Sequence, residues 1–183
     1  THVDVIAFAC TSGSFFEGDA GERALGERLR GGSNVPTVTT AGAVAAALHA
    51  VGARRISMAT PYDPHLNELE VQFLTAHGFE IVSDACMDIQ EAFDIGVVPT
   101  AEVQRYALEH FDPRADALFL SCTNLPTFPV IAALEQETGV PVVTSNQATY
   151  WECLRVLGFA GTIEGYGQLL TQFQPTVVPV AAG

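Results

Sequence analysis

The sequence predicts an α/β protein of two pseudo-symmetric lobes, each built on a parallel sheet flanked by helices. Three observations carry this. Apolar, β-branched runs alternate with helical patterns of about 10–15 residues, the pattern of βαβ units. The string VDVIAFACTSGSF at Val3–Phe15 parallels ADALFLSCTNLPTF at Ala115–Phe128. Behind each, NVPTVTTAGAVAAALHAVG at Asn34–Gly52 parallels GVPVVTSNQATYWECLRVLG at Gly139–Gly158. Two matches in the same order point to a pseudo-twofold relation between the halves.

The elements follow in order. Strands are expected at Val3–Ala9, Pro36–Thr39, Arg55–Ala59, Glu80–Ala85, Ala117–Ser121 and Val140–Thr144. Helices are expected at Gly21–Arg30, Ala41–Val51, Pro64–His77, Thr100–His110, Pro129–Thr138 and Gln147–Leu157. Gly52, Gly78 and Gly139 each follow a helical run, where a C′ glycine belongs. Pro61 and Pro64 fix the turn in ATPYDPHLNE ahead of the third helix. Residues 1–52 and 159–183 are expected to form the first lobe, and 53–158 the second, with its last helix near the interface. The Pro-rich tail from Pro175 is expected to be poorly ordered.

Composition excludes several function classes. The 183 residues are 48% hydrophobic and 16% charged, a core-forming balance. No apolar run reaches the roughly 18–20 residues that span a bilayer. The chain opens abruptly on a strand without a charged-then-apolar leader, so an earlier true start is expected. The net charge is −13, with eight arginines and no lysine. Without lysine there is no Schiff base and no Walker motif. So negative a chain argues against nucleic acid. An anionic substrate would have to be held by hydroxyls and backbone N–H groups rather than by a cationic clamp.

The four cysteines, Cys10, Cys86, Cys122 and Cys153, lack CxxC or zinc-finger spacing, so no metal is expected. Reduced thiols and a cytoplasmic location are the natural reading. Cys86 and Cys153 read as small buried hydrophobes. Cys10 and Cys122 differ, because each ends an apolar strand in Cys-Thr followed by a small polar residue. Ligands in parallel sheets bind at the carboxyl ends of strands. A thiol there, beside a helix N-terminus, is expected to favour the thiolate and to act as base, acid or nucleophile. One such cysteine would read more simply as a buried strand end; two in repeated contexts favour function. Tyr62 could donate to a carboxylate or enolate oxygen. Thr39, Thr40, Thr144, Ser145 and Asn146 could line the site or cap helices. Asp63 and His65 read as a solvated turn.

The strings CTSGSF, ATPYDPHLNE, SCTNLPTF, VPVVTSNQAT and GYGQLL resemble the aspartate/glutamate racemase superfamily, in particular its branch with maleate isomerase and arylmalonate decarboxylase. The likeness runs from Val3 to about Leu170. It implies that Cys10 and Cys122 are two catalytic thiols. Thr11, Ser12, Tyr62, Thr123 through its N–H, and Asn124 would bind the substrate carboxylate and its enediolate. No cofactor is implied. The partner is a small carboxylate substrate; separately, an exposed sheet edge and an apolar surface would favour a homo-oligomer. Arylmalonate decarboxylase carries glycine at the first cysteine, so Cys10 points to an isomerase or racemase. A decarboxylase using Cys122 alone and a non-catalytic acid-binding protein are the alternatives. The maleate isomerase string Asn-x-Glu-Val/Ile-Gly becomes Ala92-Phe93-Asp94-Ile95-Gly96, which suits a less polar far end of the substrate. The family's opening strand has no counterpart before Thr1.

Overall fold

A computed structural model describes residues 2–31 and 34–173; the expected disorder from Pro175 lies outside them. The order of elements is β1 (Ile6–Phe8), α1 (Thr11–Phe15), α2 (Gly18–Arg30), β2 (Thr37–Thr39), α3 (Thr40–Ala50), β3 (Arg55–Thr60), α4 (Pro64–Ala76), β4 (Glu80–Cys86), α5 (Ala92–Gly96), α6 (Thr100–Glu109), β5 (Ala117–Leu120), α7 (Ile131–Thr138), β6 (Val142–Thr144), α8 (Ser145–Val156) and α9 (Gln168–Thr171). All strand pairs are parallel. β1 pairs with β2 in one sheet, and the second sheet runs β4-β3-β5-β6.

All six expected strands and six expected helices form. The first strand spans three residues rather than seven, because its partner β2 offers only Thr37–Thr39 for pairing. α5 and α9 escape a sequence reading because four or five residues hold too little periodicity, and α1 is expected only as a helix N-terminus beside Cys10, without bounds. β5 is buried along its whole length, as a central strand covered on both faces must be.

The two halves repeat in three dimensions. Each Cys-bearing strand pairs in parallel with a short strand ending in Thr, and that Thr caps the next helix. Thr39 accepts from the Gly42 N–H at 3.3 Å, and Thr144 from the Gln147 N–H at 3.2 Å. Gln147 Oε1 accepts in return from the Thr144 N–H, closing a capping box. α3 and α8, the equivalent helices, pack on each other between the sheets. α3 is apolar nearly all round, with Ala41, Ala43, Val44, Ala45, Ala47 and Leu48 buried, as a helix covered on every side requires. Thr149 of α8 meets the Thr40 hydroxyl of α3 at 3.0 Å, and Thr40 donates to Phe8 O at 3.1 Å.

Residues 159–173, part of the 159–183 stretch expected in the first lobe, make hydrogen bonds to α7 and α8 as well as among themselves. Glu135 of α7 accepts from the N–H groups of Val142 and Gln168, Gln147 Nε2 donates to Tyr166 O, and Trp151 Nε1 donates to Phe173 O. No helix among the described residues is long and apolar enough to cross a membrane.

Thr144→Ala removes one half of the capping box at a fully buried helix start. It should lower stability by about 1–2 kcal/mol with little change in m-value, as read by urea denaturation.

Candidate active site

The carboxyl ends of β1 and β5 open onto one cavity of about 300 Å³ between the lobes. Its lining contains every site residue expected from the sequence: Cys10, Thr11, Ser12, Tyr62, Cys122, Thr123 and Asn124. Asp63, Leu66, Ile89, Gln90, Ala92 and Ile95 complete it. Larger hollows of about 520 Å³ beside His49 and Arg54, and about 430 Å³ beside Arg105 and Tyr106, hold no thiol.

Cys10 is the extended residue that precedes α1, and its thiol is exposed, 3.9 Å from the Ser12 hydroxyl. Ser14 pins this helix: its hydroxyl contacts the carbonyls of Cys10 and Thr11 and accepts from the Ala41 N–H at 2.9 Å. The site is therefore fixed to the start of α3. The Thr11 hydroxyl is buried in the cavity wall beside the Tyr62 phenol, with no hydrogen bond of good geometry. An unpaired buried hydroxyl costs about 1–3 kcal/mol, so it stands ready for an acceptor from outside the protein.

Cys122 ends β5 with φ +81°, the left-handed region that non-glycine residues avoid. Such a conformation costs of order 1–3 kcal/mol and turns the side chain out of line with its strand. No helix starts behind Cys122, contrary to the sequence expectation; a turn does, closed by the Leu125 N–H donating to Cys122 O at 3.2 Å. Nor is its thiolate favoured on balance. Burial pushes the thiol up, and the N–H groups of Asn124 and Leu125 with the Tyr62 hydroxyl only partly offset this. Cys122 thus keeps its proton near neutral pH, and the two thiols are unlike: one exposed, one buried and protonated.

Thr123 bridges the lobes, its hydroxyl donating to Ala9 O at 3.1 Å. Asn146 Nδ2 donates to Thr123 O at 3.0 Å and holds the loop from behind. Asn124 gives its amide N–H to the Ala92 carbonyl and so holds α5 over the cavity rather than offering that donor to a ligand. Gly96 lets it lie there, since a Cβ would sit 3.2 Å from Asn124 Oδ1. Asp63 is the N-cap of α4, accepting from the N–H groups of His65 and Leu66. Thr39 and Thr144 are likewise caps, one of the two roles the sequence left open.

Tyr62 is buried, with its ring edge-on to Phe15 at 6.2 Å. Burial, then Glu70 and Cys122, hold its phenol well above the ordinary tyrosine range, so it stays a donor. Sequence reasoning missed Glu70 and Ser121. Ser121 Oγ lies 2.7 Å from Glu70 Oε1 and 3.4 Å from the Tyr62 hydroxyl. Burial pushes the Glu70 carboxyl up to about 8, with the Ser121 contact opposing. A signal existed: Leu66, Glu70, Phe73 and Leu74 fall on one helical stripe, and an acid on an apolar stripe is out of place.

Among the described residues, no cation lines the cavity. Its polar groups are hydroxyls, thiols, amides and backbone N–H groups, with Asp63 as the one carboxylate, and its apolar side is Leu66, Ile89, Ala92 and Ile95. Among the described residues no cluster could hold a metal ion. The arrangement suits a small molecule with one anionic and one apolar end.

The family profile for arylmalonate decarboxylase matches residues 1–170. The maleate isomerase of Nocardia farcinica is 31% identical over 175 residues, covering 92% of this chain and 70% of that protein. The arylmalonate decarboxylase of Bordetella bronchiseptica is 32% identical over 171 residues, covering 92% and 71%. A solved Nocardia farcinica maleate cis-trans isomerase, a Cys-to-Ser mutant with a covalently bound succinylcysteine intermediate, superposes with a TM-score of 0.88 at 28% identity, covering 92% of this chain and 71% of that one.

The exposed Cys10 should react with iodoacetamide well before Cys122 at about pH 7.5, because attack needs both access and thiolate. Peptide mass spectrometry of a time course reads the order; equal rates would contradict it.

Proposed function

This chain belongs to the arylmalonate decarboxylase family, and from that premise we propose that it is a cofactor-independent isomerase or racemase of a small carboxylic acid with a two-thiol site. The observation that carries the reading is the convergence of Cys10 and Cys122, from equivalent strands of two lobes, on one cavity whose described lining holds no cation. One substrate carboxylate is held by the Thr11 hydroxyl, Ser12, the Tyr62 phenol and the Thr123 N–H. These are fixed neutral donors, which stabilise the enediolate as charge moves onto its oxygens.

In the racemase version one thiolate takes the proton α to the carboxylate, the C–H electron pair passes into the enediolate, and the other thiol returns a proton to the opposite face. In the cis–trans version the Cys10 thiolate adds to the double bond and the π pair moves into the enediolate. Cys122 protonates the carbon, the single bond rotates, the proton returns to Cys122, and Cys10 leaves. The succinylcysteine of the Nocardia farcinica isomerase is an adduct of this second kind. The protonated state of Cys122 and the exposure of Cys10 support a donor–nucleophile division. The apolar wall of Leu66, Ile89, Ala92 and Ile95 favours an acid whose far end is less polar than that of maleate.

The same wall favours a second reading. A carboxylate forced against apolar groups is driven to leave as CO2, and Cys122 alone would protonate the enediolate.

Incubation with maleate, aspartate, glutamate and an arylmalonate in D2O separates the readings: fumarate, α-deuteration or CO2 release. If two thiols act, Cys10→Ala and Cys122→Ala should each lower turnover by about 10³-fold or more. Near-full activity in Cys10→Gly with loss in Cys122→Ala would replace the isomerase reading with the decarboxylase. In the isomerase reading, Ala92→Asn should raise turnover of maleate relative to less polar acids, as kcat/KM ratios report.

A further inference from the structure

Beside Tyr62 and Cys122 lies a buried acid that the chemistry above leaves unused. Glu70 of α4 is 2% exposed. Its Oε1 lies 2.7 Å from Ser121 Oγ, and its Oε2 has no hydrogen-bond partner. The titratable groups that face it are Tyr62, from the turn ahead of α4, and Cys122, from the end of β5. The other elements packed on α4 supply no counter-charge. α1 has no ionisable side chain. α2 brings Asp19, paired with Arg23 and with His77 at the end of α4. β4 brings Asp84, which accepts from Asn67 Nδ2 at 2.9 Å.

An uncompensated buried carboxyl keeps its proton. The 2.7 Å contact runs from Ser121 Oγ to Oε1 when Glu70 is a carboxylate; with Glu70 neutral and its proton on Oε1, the oxygen that has a partner, the direction reverses and Glu70 donates to Ser121 Oγ. Ser121 has one hydrogen, and it then goes to the Tyr62 oxygen at 3.4 Å, a long contact of the kind that tightens when substrate binds. Tyr62, now an acceptor from Ser121, keeps its own O–H for the cavity side, where Cys122 and Thr11 lie within its reach. If Glu70 ionises, the order reverses: Ser121 donates to the carboxylate, and the lone pairs of Ser121 draw the Tyr62 hydrogen away from the cavity.

We propose that Glu70 is a positioning residue whose neutral form, acting through Ser121, keeps the Tyr62 O–H directed into the cavity toward the substrate anion. The inference rests on the reading that Tyr62 donates to a substrate oxygen. Below the Glu70 ionisation the donor is in place; as pH rises through about 8 it is withdrawn and turnover falls.

The test is a pH titration by 13C NMR of protein labelled at Glu Cδ and Tyr Cζ, with Glu70→Gln and Tyr62→Phe assigning the two signals. The expected result is one glutamate carboxyl titrating near 8, absent in Glu70→Gln, and a Tyr62 Cζ signal that shifts with the same midpoint only when Glu70 is present. On whichever acid of the panel is turned over, the alkaline limb of kcat/KM should move up by about one pH unit or more in Glu70→Gln, since the amide cannot ionise. A Glu70 carboxyl that titrates in the ordinary carboxylate range, or a Tyr62 signal blind to it, overturns the proposal. Coupled signals with no turnover of any acid support the relay and count instead against the proposed function.

Discussion

The packing of α3 against α8 governs what the rest of the molecule can do. Each helix begins at the end of a short strand, β2 or β6, and each of those strands pairs with the strand that carries a thiol. The buried contact of Thr40 with Thr149, and the bond from Thr40 to Phe8 O, therefore fix the carboxyl ends of two separate sheets against each other. Thr123, bonded across to Ala9 O, closes the same joint at the cavity itself. Two thiols that no continuous sheet connects are held in one pocket by these few hydroxyls.

That joint is buried, which sets the chemistry. In water a thiol and a phenol titrate near their ordinary values. Here burial raises both Cys122 and Tyr62, so the pocket presents protons rather than charges. Glu70 belongs to the same pattern, a carboxyl kept neutral because nothing cationic stands beside it. In the proposed function, a chain with net charge −13 and no lysine would meet an anion through such neutral donors. Cys10 differs in being exposed, and in the proposed function that difference would let one thiol act as nucleophile while the other carries a proton.

Much of this was legible in the sequence. The six strands and the long helices follow from hydrophobic period, caps and glycine stops, which are local properties. The repeat of Cys-Thr strings placed both thiols at strand ends before any coordinates. What failed is instructive. α5 and α9 are too short to show a period. The helix expected behind Cys122 is a turn. Asn124 lines the cavity and also gives an amide N–H to Ala92 O, a partner 32 residues away that no local pattern announces.

The sequence by itself determined the α/β alternation, the pseudo-twofold, the absence of lysine chemistry and the identity of the thiols, because each depends on residue type and spacing along the chain. The tertiary structure alone decided the protonation order of the site. Whether Cys122, Tyr62 and Glu70 hold their protons depends on how much water and which charges surround them, and these come from four segments brought together only by folding: the turn before α4, α4 itself, the end of β5 and the head of α1.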